Sequence, residues 1–451
     1  MKLKTTHRFD IGRNIGYSHS ATVKLGDKEG MLFLTTPGVG VDPGEELFHY
    51  KGIENTWLVM FDMDGNKLWE KELPDGVLPG IWFRCAVALD MDGDGYDEIY
   101  FINNTGAPFS FMHRKLQRLD ARTGELTGSW PWPWNTFNDR MSLCYRFYLV
   151  AGYAHGEPVL ITCQGTYGDM YLQGWSGDME PRWDIKIPAD KFGPKASHVT
   201  PVLDINEDGV DELFWGERLI SVDDGHEVIC LAPDYDGHSD IILPYRHPET
   251  GKWYIYTCRE GGEQPGEPRV VTFHPDGSVA WKQLESVGHM HTGWCANVLD
   301  GCGKICMAMR EHFVPDDCGF NHEIDGVFYY DAYTGEEVDF SLPYKGYEVH
   351  PLDINGDGYH EFVCPDGKII DRHGNVLASF AGSPMRMGKL LDRPGEQIMI
   401  ANGTAFEILA DEDACDSDVM KQRYNIPYLT FMQKLMASGY NAIGSQISCG
   451  I

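Results

Sequence analysis

Residues 197–216 read S-H-V-T-P-V-L-D-I-N-E-D-G-V-D-E-L-F-W-G. An apolar run ending at Leu203 enters an acidic loop, and a second apolar run leaves it, so the segment reads as two antiparallel strands joined by a tight turn. Working outward, the same unit recurs. Its copies begin near Gly16, Arg84, Arg146, His198, His238, His291, Tyr347 and Met385, at steps of 38 to 68 residues. A hairpin of alternating apolar strands around a Gly turn follows in most copies, as in Trp57–Trp69, Leu116–Thr127 around Thr123-Gly124, and Val270–Trp281 around Asp276-Gly277. Later copies turn at Thr334-Gly335 and His373-Gly374. Repeats of this size fit one four-stranded blade each. The expected fold is therefore all-β: an eight-bladed β-propeller over residues 1–414, its ring closed by Thr5–Ile11 from the other terminus. Residues 415–451 are expected as a C-terminal segment packed on one face, with a helix over Ser417–Ser438 broken at Pro427.

Composition narrows the partners. The chain has 451 residues, 37 Lys plus Arg against 68 Asp plus Glu, and a formal charge of -31. Such a surface repels nucleic acid and anionic membranes, while a local cluster of cations can still reverse the field inside one cleft. The opening Met1–Asp10 carries no apolar run of the signal-peptide kind, and no stretch is long and apolar enough to span a bilayer, so the chain as written is expected in the cytoplasm. The 12 cysteines stand mostly singly in apolar strands and are expected to be reduced.

Three loops share one acidic template: Asp90-x-Asp92-x-Asp94-Gly-x-x-Glu98, Asp204-x-Asn206-x-Asp208-Gly-x-x-Glu212 and Asp353-x-Asn355-x-Asp357-Gly-x-x-Glu361. Oxygens at positions one, three, five and nine, with the carbonyl of position seven, suit a hard cation, and calcium is the expected occupant. The alternative is a tight Asp/Gly turn with solvated carboxylates. A second donor set combines nitrogen with oxygen: His198, His238, Asp240 and Glu260. His238 and Asp240 stand two apart on one strand and so face the same way. Together the four suit one divalent cation, calcium or, given the imidazoles, manganese or zinc. The competing reading is of separately hydrogen-bonded histidines at strand ends.

The residues also resemble the family-11 rhamnogalacturonan lyases. The resemblance runs through Tyr145-Arg146-Phe147, Gly165-Thr166-Tyr167, the His198 strand with its acidic loop, Gly237–Asp240, Arg259–Gly262, Ala296–Asp300 and Met432–Asn441. It implies an eight-bladed propeller that cuts a rhamnose–galacturonate backbone by β-elimination, with a central cation on the residues matching His198, His238, Asp240 and Glu260. One departure stands out. Thr292-Gly293-Trp294, preceded by His289 and His291, replaces the family's Gly-Arg-Gly run. Fewer cationic side chains imply a different or shorter substrate than a long pectic polyanion.

Elimination needs a base for the proton on C5 and a positive group against the uronate carboxylate. His291 is the leading expected base, with His289 beside it. Arg372 is expected to hold the carboxylate, and Tyr167 to act as acid or as a sugar-stacking ring; Trp130, Trp132 and Trp134 are further stacking candidates. The expected partner is a uronate-containing oligosaccharide or polysaccharide. A glycoside hydrolase and a non-catalytic carbohydrate-binding propeller remain as alternatives on the same scaffold.

Overall fold

Branched aliphatic and aromatic residues fill most of the strands, and turns carrying Gly return one strand to the next. The computed structural model describes residues 1–38, 55–73, 86–105, 113–134, 146–260, 267–283, 288–316, 319–344, 349–425 and 435–436. Antiparallel sheets follow one another over 18–73, 86–131, 147–187, 202–230, 239–283, 289–331, 350–379 and 383–411. They stand in a ring and form the eight blades of a β-propeller, with first strands of neighbouring blades abutting around the axis. Of the expected blade starts, Arg84 and Tyr347 lie outside the described residues, as do Tyr145, Gly261, Gly262 and most of 432–441.

Closure joins the two ends of the chain. Leu3–Asp10 pairs antiparallel with Ala405–Asp411 as the outer strand of the eighth blade. The sixth blade departs from the four-strand pattern. It has three strands, His289–Leu299, Gly303–Asp316 and Gly319–Asp331, and its fourth is reduced to a bridge between Tyr330 and Glu337.

A tryptophan clasp recurs between blades. Trp69, Trp183 and Trp281 each lie on a turn glycine of the next blade, Gly124, Gly225 and Gly335, where a Cβ would come within 2.6–2.7 Å of the ring. Each indole Nε1 donates to a carbonyl of that blade: Ala121 at 2.7 Å, Val222 at 2.8 Å and Ala332 at 2.8 Å. Each of these glycines also has φ between 71° and 75°, which L side chains rarely adopt. The Gly of each turn thus serves the turn and the inter-blade packing together.

In the tail a helix covers Asp418–Tyr424, capped by Ser417 and ended at Asn425, ahead of Pro427 as expected; beyond it the described residues are 435–436. Leu435–Met436 pairs with Val87 and Ala86 as a fifth strand on the inner edge of the second blade. Among the described residues no helix is long and apolar enough to cross a membrane.

Candidate functional site

Four consecutive blades send polar side chains to one end of the axis. Arg146 precedes the first strand of the third blade and Tyr167 follows its second; His198 precedes the fourth blade. His238, Asp240 and Glu260 come from the fifth, and His289, His291 and Glu311 from the sixth. Backbone irregularity aims two of them. The ladder slips between Ser239 and Ile241, at Asp240, and between Met290 and Thr292, at His291. Bulges of this kind turn a side chain out of the strict alternation. His289 and Glu311 need no bulge, because they are direct cross-strand partners.

The side chains converge on Asp240. Its Oδ1 lies 3.4 Å from His198 Nε2 and 3.3 Å from His238 Nε2, and His238 Nε2 lies 3.2 Å from His198 Nδ1. Its Oδ2 lies 2.6 Å from His289 Nε2 and 3.0 Å from His291 Nδ1. His291 Nδ1 is also 3.0 Å from Glu311 Oε1. Two triads, His198–His238–Asp240 and Asp240–His289–His291, each bring one donor atom per residue within 4.8 Å of one another. Glu260 is tied beside them, its backbone N–H donating to the His238 carbonyl at 2.9 Å. Arg146 Nη1 stands 3.1 Å from His198 Nε2 and donates to the Tyr167 hydroxyl at 3.4 Å, and the Tyr167 ring centroid is 4.7 Å from that of His238.

Burial governs the charges. Asp240 and Glu311 are fully buried. Burial alone would push Asp240 up, yet His289, His198 and His291 hold its carboxyl well below the usual range. Burial would lower His289, but Asp240, Glu260 and Glu311 overcome it and push it up to about 9. His198 is held well below the ordinary imidazole value by burial, with His238, Arg146 and His291 adding to it against Asp240. Burial raises Tyr167, helped by Glu260 and Asp240 and opposed by Arg146. Nitrogen-rich donors backed by buried carboxylates fit a borderline divalent cation such as manganese or zinc better than calcium.

A second layer fixes the fifth blade. Arg259, next to Glu260, pairs bidentately with Glu217 through Nε at 2.8 Å and Nη2 at 2.6 Å, both side chains buried. Ser239 donates to the same Glu217 at 2.8 Å, and the Tyr235 hydroxyl donates to the His238 carbonyl at 2.7 Å. These bonds hold the backbone on both sides of the donor set.

The three acidic loops follow the first strands of their blades and tie blade to blade. Position eight accepts a backbone N–H from the preceding blade in two of them, Asp97 from Lys24 at 2.6 Å and Asp211 from Tyr153 at 2.7 Å. His360 Nδ1 does the same for Asn297 at 2.9 Å. In the first loop Asp90, Asp92 and Asp94 bring oxygens within 4.8 Å of one another. Glu212 accepts from Asn206 at 3.1 Å and Glu361 from Asn355 at 2.7 Å. Asp353 also pairs with Arg423 of the helix at 3.1 Å. Burial, with nearby Asp charges, pushes Glu98 up to about 7 and Glu212 up to about 8. Crowded oxygens of this kind fit a hard cation.

Not every expected residue reaches the axis. Arg372 is engaged elsewhere, donating to the Val298 carbonyl and to Asp300, both at 2.9 Å, and lying over Tyr359, so it is not available to the cluster. Trp132 is a core residue, 1% exposed and bonded to Gln164 at 2.8 Å, rather than a stacking surface; Trp134 stacks on Tyr171. His289 and His291 reach the cluster, but with nitrogens turned onto carboxylates. Two contributors were not assigned roles from sequence. Arg146 stands in the sequence as a blade start in the Tyr145-Arg146-Phe147 run, and Glu311, in Arg310-Glu311-His312 after the apolar run Ile305–Met309, has no motif of its own.

No family model matches the chain. In sequence it is 24% identical over 283 residues to the rhamnogalacturonan exolyase YesX of Bacillus subtilis (strain 168), a match covering 49% of this chain and 45% of the relative. The chain thus matches about half the length of that curated relative. The crystal structure of the exotype rhamnogalacturonan lyase YesX superposes with a TM-score of 0.73 at 17% identity, over 95% of this chain and 80% of that one. Rhamnogalacturonan lyase YesW gives 0.73 at 15% identity over 96% and 77%, and the Bacillus licheniformis rhamnogalacturonan lyase PL11 gives 0.70 at 15% over 89% and 72%. The chain is therefore similar in sequence to one rhamnogalacturonan lyase and shares its propeller fold with several.

Proposed function

We propose that this protein is a polysaccharide lyase that cleaves a rhamnose–uronate linkage by β-elimination with the help of a divalent cation. The observation that carries the reading is the meeting of a buried His/carboxylate donor set with Arg146 and Tyr167 at one end of the axis. The likeness to rhamnogalacturonan lyases supplies the substrate class.

In the reaction a base removes the C5 proton, the electrons form the C4–C5 double bond, and the O4 leaving group departs with a proton. When bound, a cation on His198, His238, Asp240 and Glu260 supplies Coulomb attraction for the uronate carboxylate, where charge builds up as the proton leaves. Arg146 adds a fixed positive charge beside His198, taking the role expected of Arg372. Tyr167 moves the proton: as phenolate it takes it from C5, and as phenol it gives it to the departing O4. Its hydroxyl stands between Arg146 and Glu260, which accepts a hydrogen bond from it, so a route for the proton leads off the ring. Arg146 favours the phenolate, and neutralising Glu260 and Asp240 removes the charges that oppose it.

The test is incubation of the metal-loaded protein with rhamnose–uronate oligosaccharides. A lyase produces the ultraviolet absorbance of an unsaturated uronate. New reducing ends without absorbance would instead establish a hydrolase, and binding with neither would establish a carbohydrate-binding propeller.

A further inference from the structure

We infer that the axis holds two divalent cations bridged by Asp240: one on Oδ1 with His198 and His238, the other on Oδ2 with His289, His291 and Glu311. The inference takes from the proposed function only that the axis binds metal; it is independent of substrate and reaction.

The geometry divides at the carboxylate. His198 and His238 approach Asp240 Oδ1 at 3.4 and 3.3 Å, while His289 and His291 approach Oδ2 at 2.6 and 3.0 Å. Each group forms its own compact triad, and Asp240 is the residue common to both. With metal bonds of about 2.0–2.2 Å, tetrahedral ligand atoms stand about 3.3–3.6 Å apart. In the first triad Asp240 Oδ1 stands at that spacing from both Nε2 atoms, 3.4 and 3.3 Å. The second is tighter, its donor atoms 2.6–3.1 Å apart, so an ion there requires the His289 and His291 rings to move outward. A carboxylate using both oxygens this way commonly bridges ions about 3.5–4 Å apart.

The backbone reinforces the second position. Glu311 faces His289 directly across the strand pair and has an oxygen 3.0 Å from His291 Nδ1, so it completes a four-donor set of two imidazoles and two carboxylates. His289 and His291 come from the same strand, with the ladder slip falling at His291. Glu311 is fully buried, and a carboxylate out of water is costly unless positive charge faces it, which a cation held with His289 and His291 would supply. Two cations against Asp240, Glu260 and Glu311, with Arg146 beside them, leave the cleft net positive. That is the sign an anionic uronate requires on a chain whose formal charge is -31.

The experiment counts and couples metals without any sugar. Metal-free full-length protein, supplied with calcium to fill the acidic loops, is titrated with Mn(II), and bound manganese is measured by elemental analysis and electron paramagnetic resonance. Two manganese per chain with an exchange-coupled signal are expected. The double variant His289→Ala/His291→Ala should bind one, with an isolated six-line signal, and Glu311→Gln, which is nearly isosteric, should weaken the second loading by at least about 10-fold. Near-ultraviolet circular dichroism identifies variants that fail to fold, and Glu311→Gln then carries the test. One manganese on the wild type, two uncoupled ions, or unchanged loading of a folded Glu311→Gln would each overturn the inference. Absence of lyase activity would overturn the proposed function alone and leave these counts unaffected.

Discussion

Replacing Glu217 with alanine removes both carboxylate oxygens that accept from the Arg259 guanidinium, and the acceptor of Ser239, leaving a cation with side-chain exposure of only 5% between the fourth and fifth blades. Breaking a buried pair from one side costs about 3–5 kcal/mol, because the remaining charge is uncompensated. Unfolding entropy of about 2.1 cal/mol/K per residue makes about 0.9 kcal/mol/K for the whole chain, so the melting temperature should fall by about 3–5 °C. The double variant Glu217→Met/Arg259→Met removes both charges and keeps much of the volume, so it should recover most of that loss. Calorimetry on wild type, Glu217→Met, Arg259→Met and the double variant measures the coupling directly. Because Arg259 adjoins Glu260, the single variants should also bind axial metal more weakly, in step with their loss of stability. A fall below 1 °C in Glu217→Ala, or a double variant no more stable than the worse single one, would refute the reasoning.

Tyr167→Phe should lower turnover on uronate oligosaccharides at least about 100-fold while leaving metal content unchanged; wild-type turnover would exclude Tyr167 as the proton-transfer group. Burial pushes His350 down to about 4, so its neutral form stabilises the fold fully above about pH 6.5, and that contribution is lost as the pH falls through about 4. Relative to wild type, His350→Gln should therefore lose about 3 kcal/mol less between pH 7 and pH 4, as read from urea unfolding at the two values; parallel curves would refute it. Calcium at about 100 times its Kd adds about 2.7 kcal/mol per site, so Asp92→Ala should remove about 3 °C from the calcium-dependent rise in melting temperature, and an undiminished rise would exclude the first loop as a site.

The propeller was legible because its signals are local. Strand alternation, Gly turns and acidic loops repeat within each unit, and the eight starts and the closing strand follow from them without knowledge of any contact. The His238–Asp240 pair was picked out by its two-residue spacing, although the ladder slips at Asp240 and His238 precedes the strand. The short helix before Pro427 was legible from its 3.6-residue pattern and the proline, whereas strand 435–436 was not, because its partner lies more than 300 residues away.

The composition of the axial site was decided in three dimensions. Whether Arg372 or Arg146 reaches the donor set depends on which end of its blade each occupies, and no spacing along the chain records that. Glu311 enters only through register with His289, and Asp240 is turned toward two histidine pairs only through a bulge. Local pattern specifies the blades because each unit's hydrogen bonds are closed largely within itself. The site is assembled between blades, so its membership depends on how the ring brings four separate strand ends together.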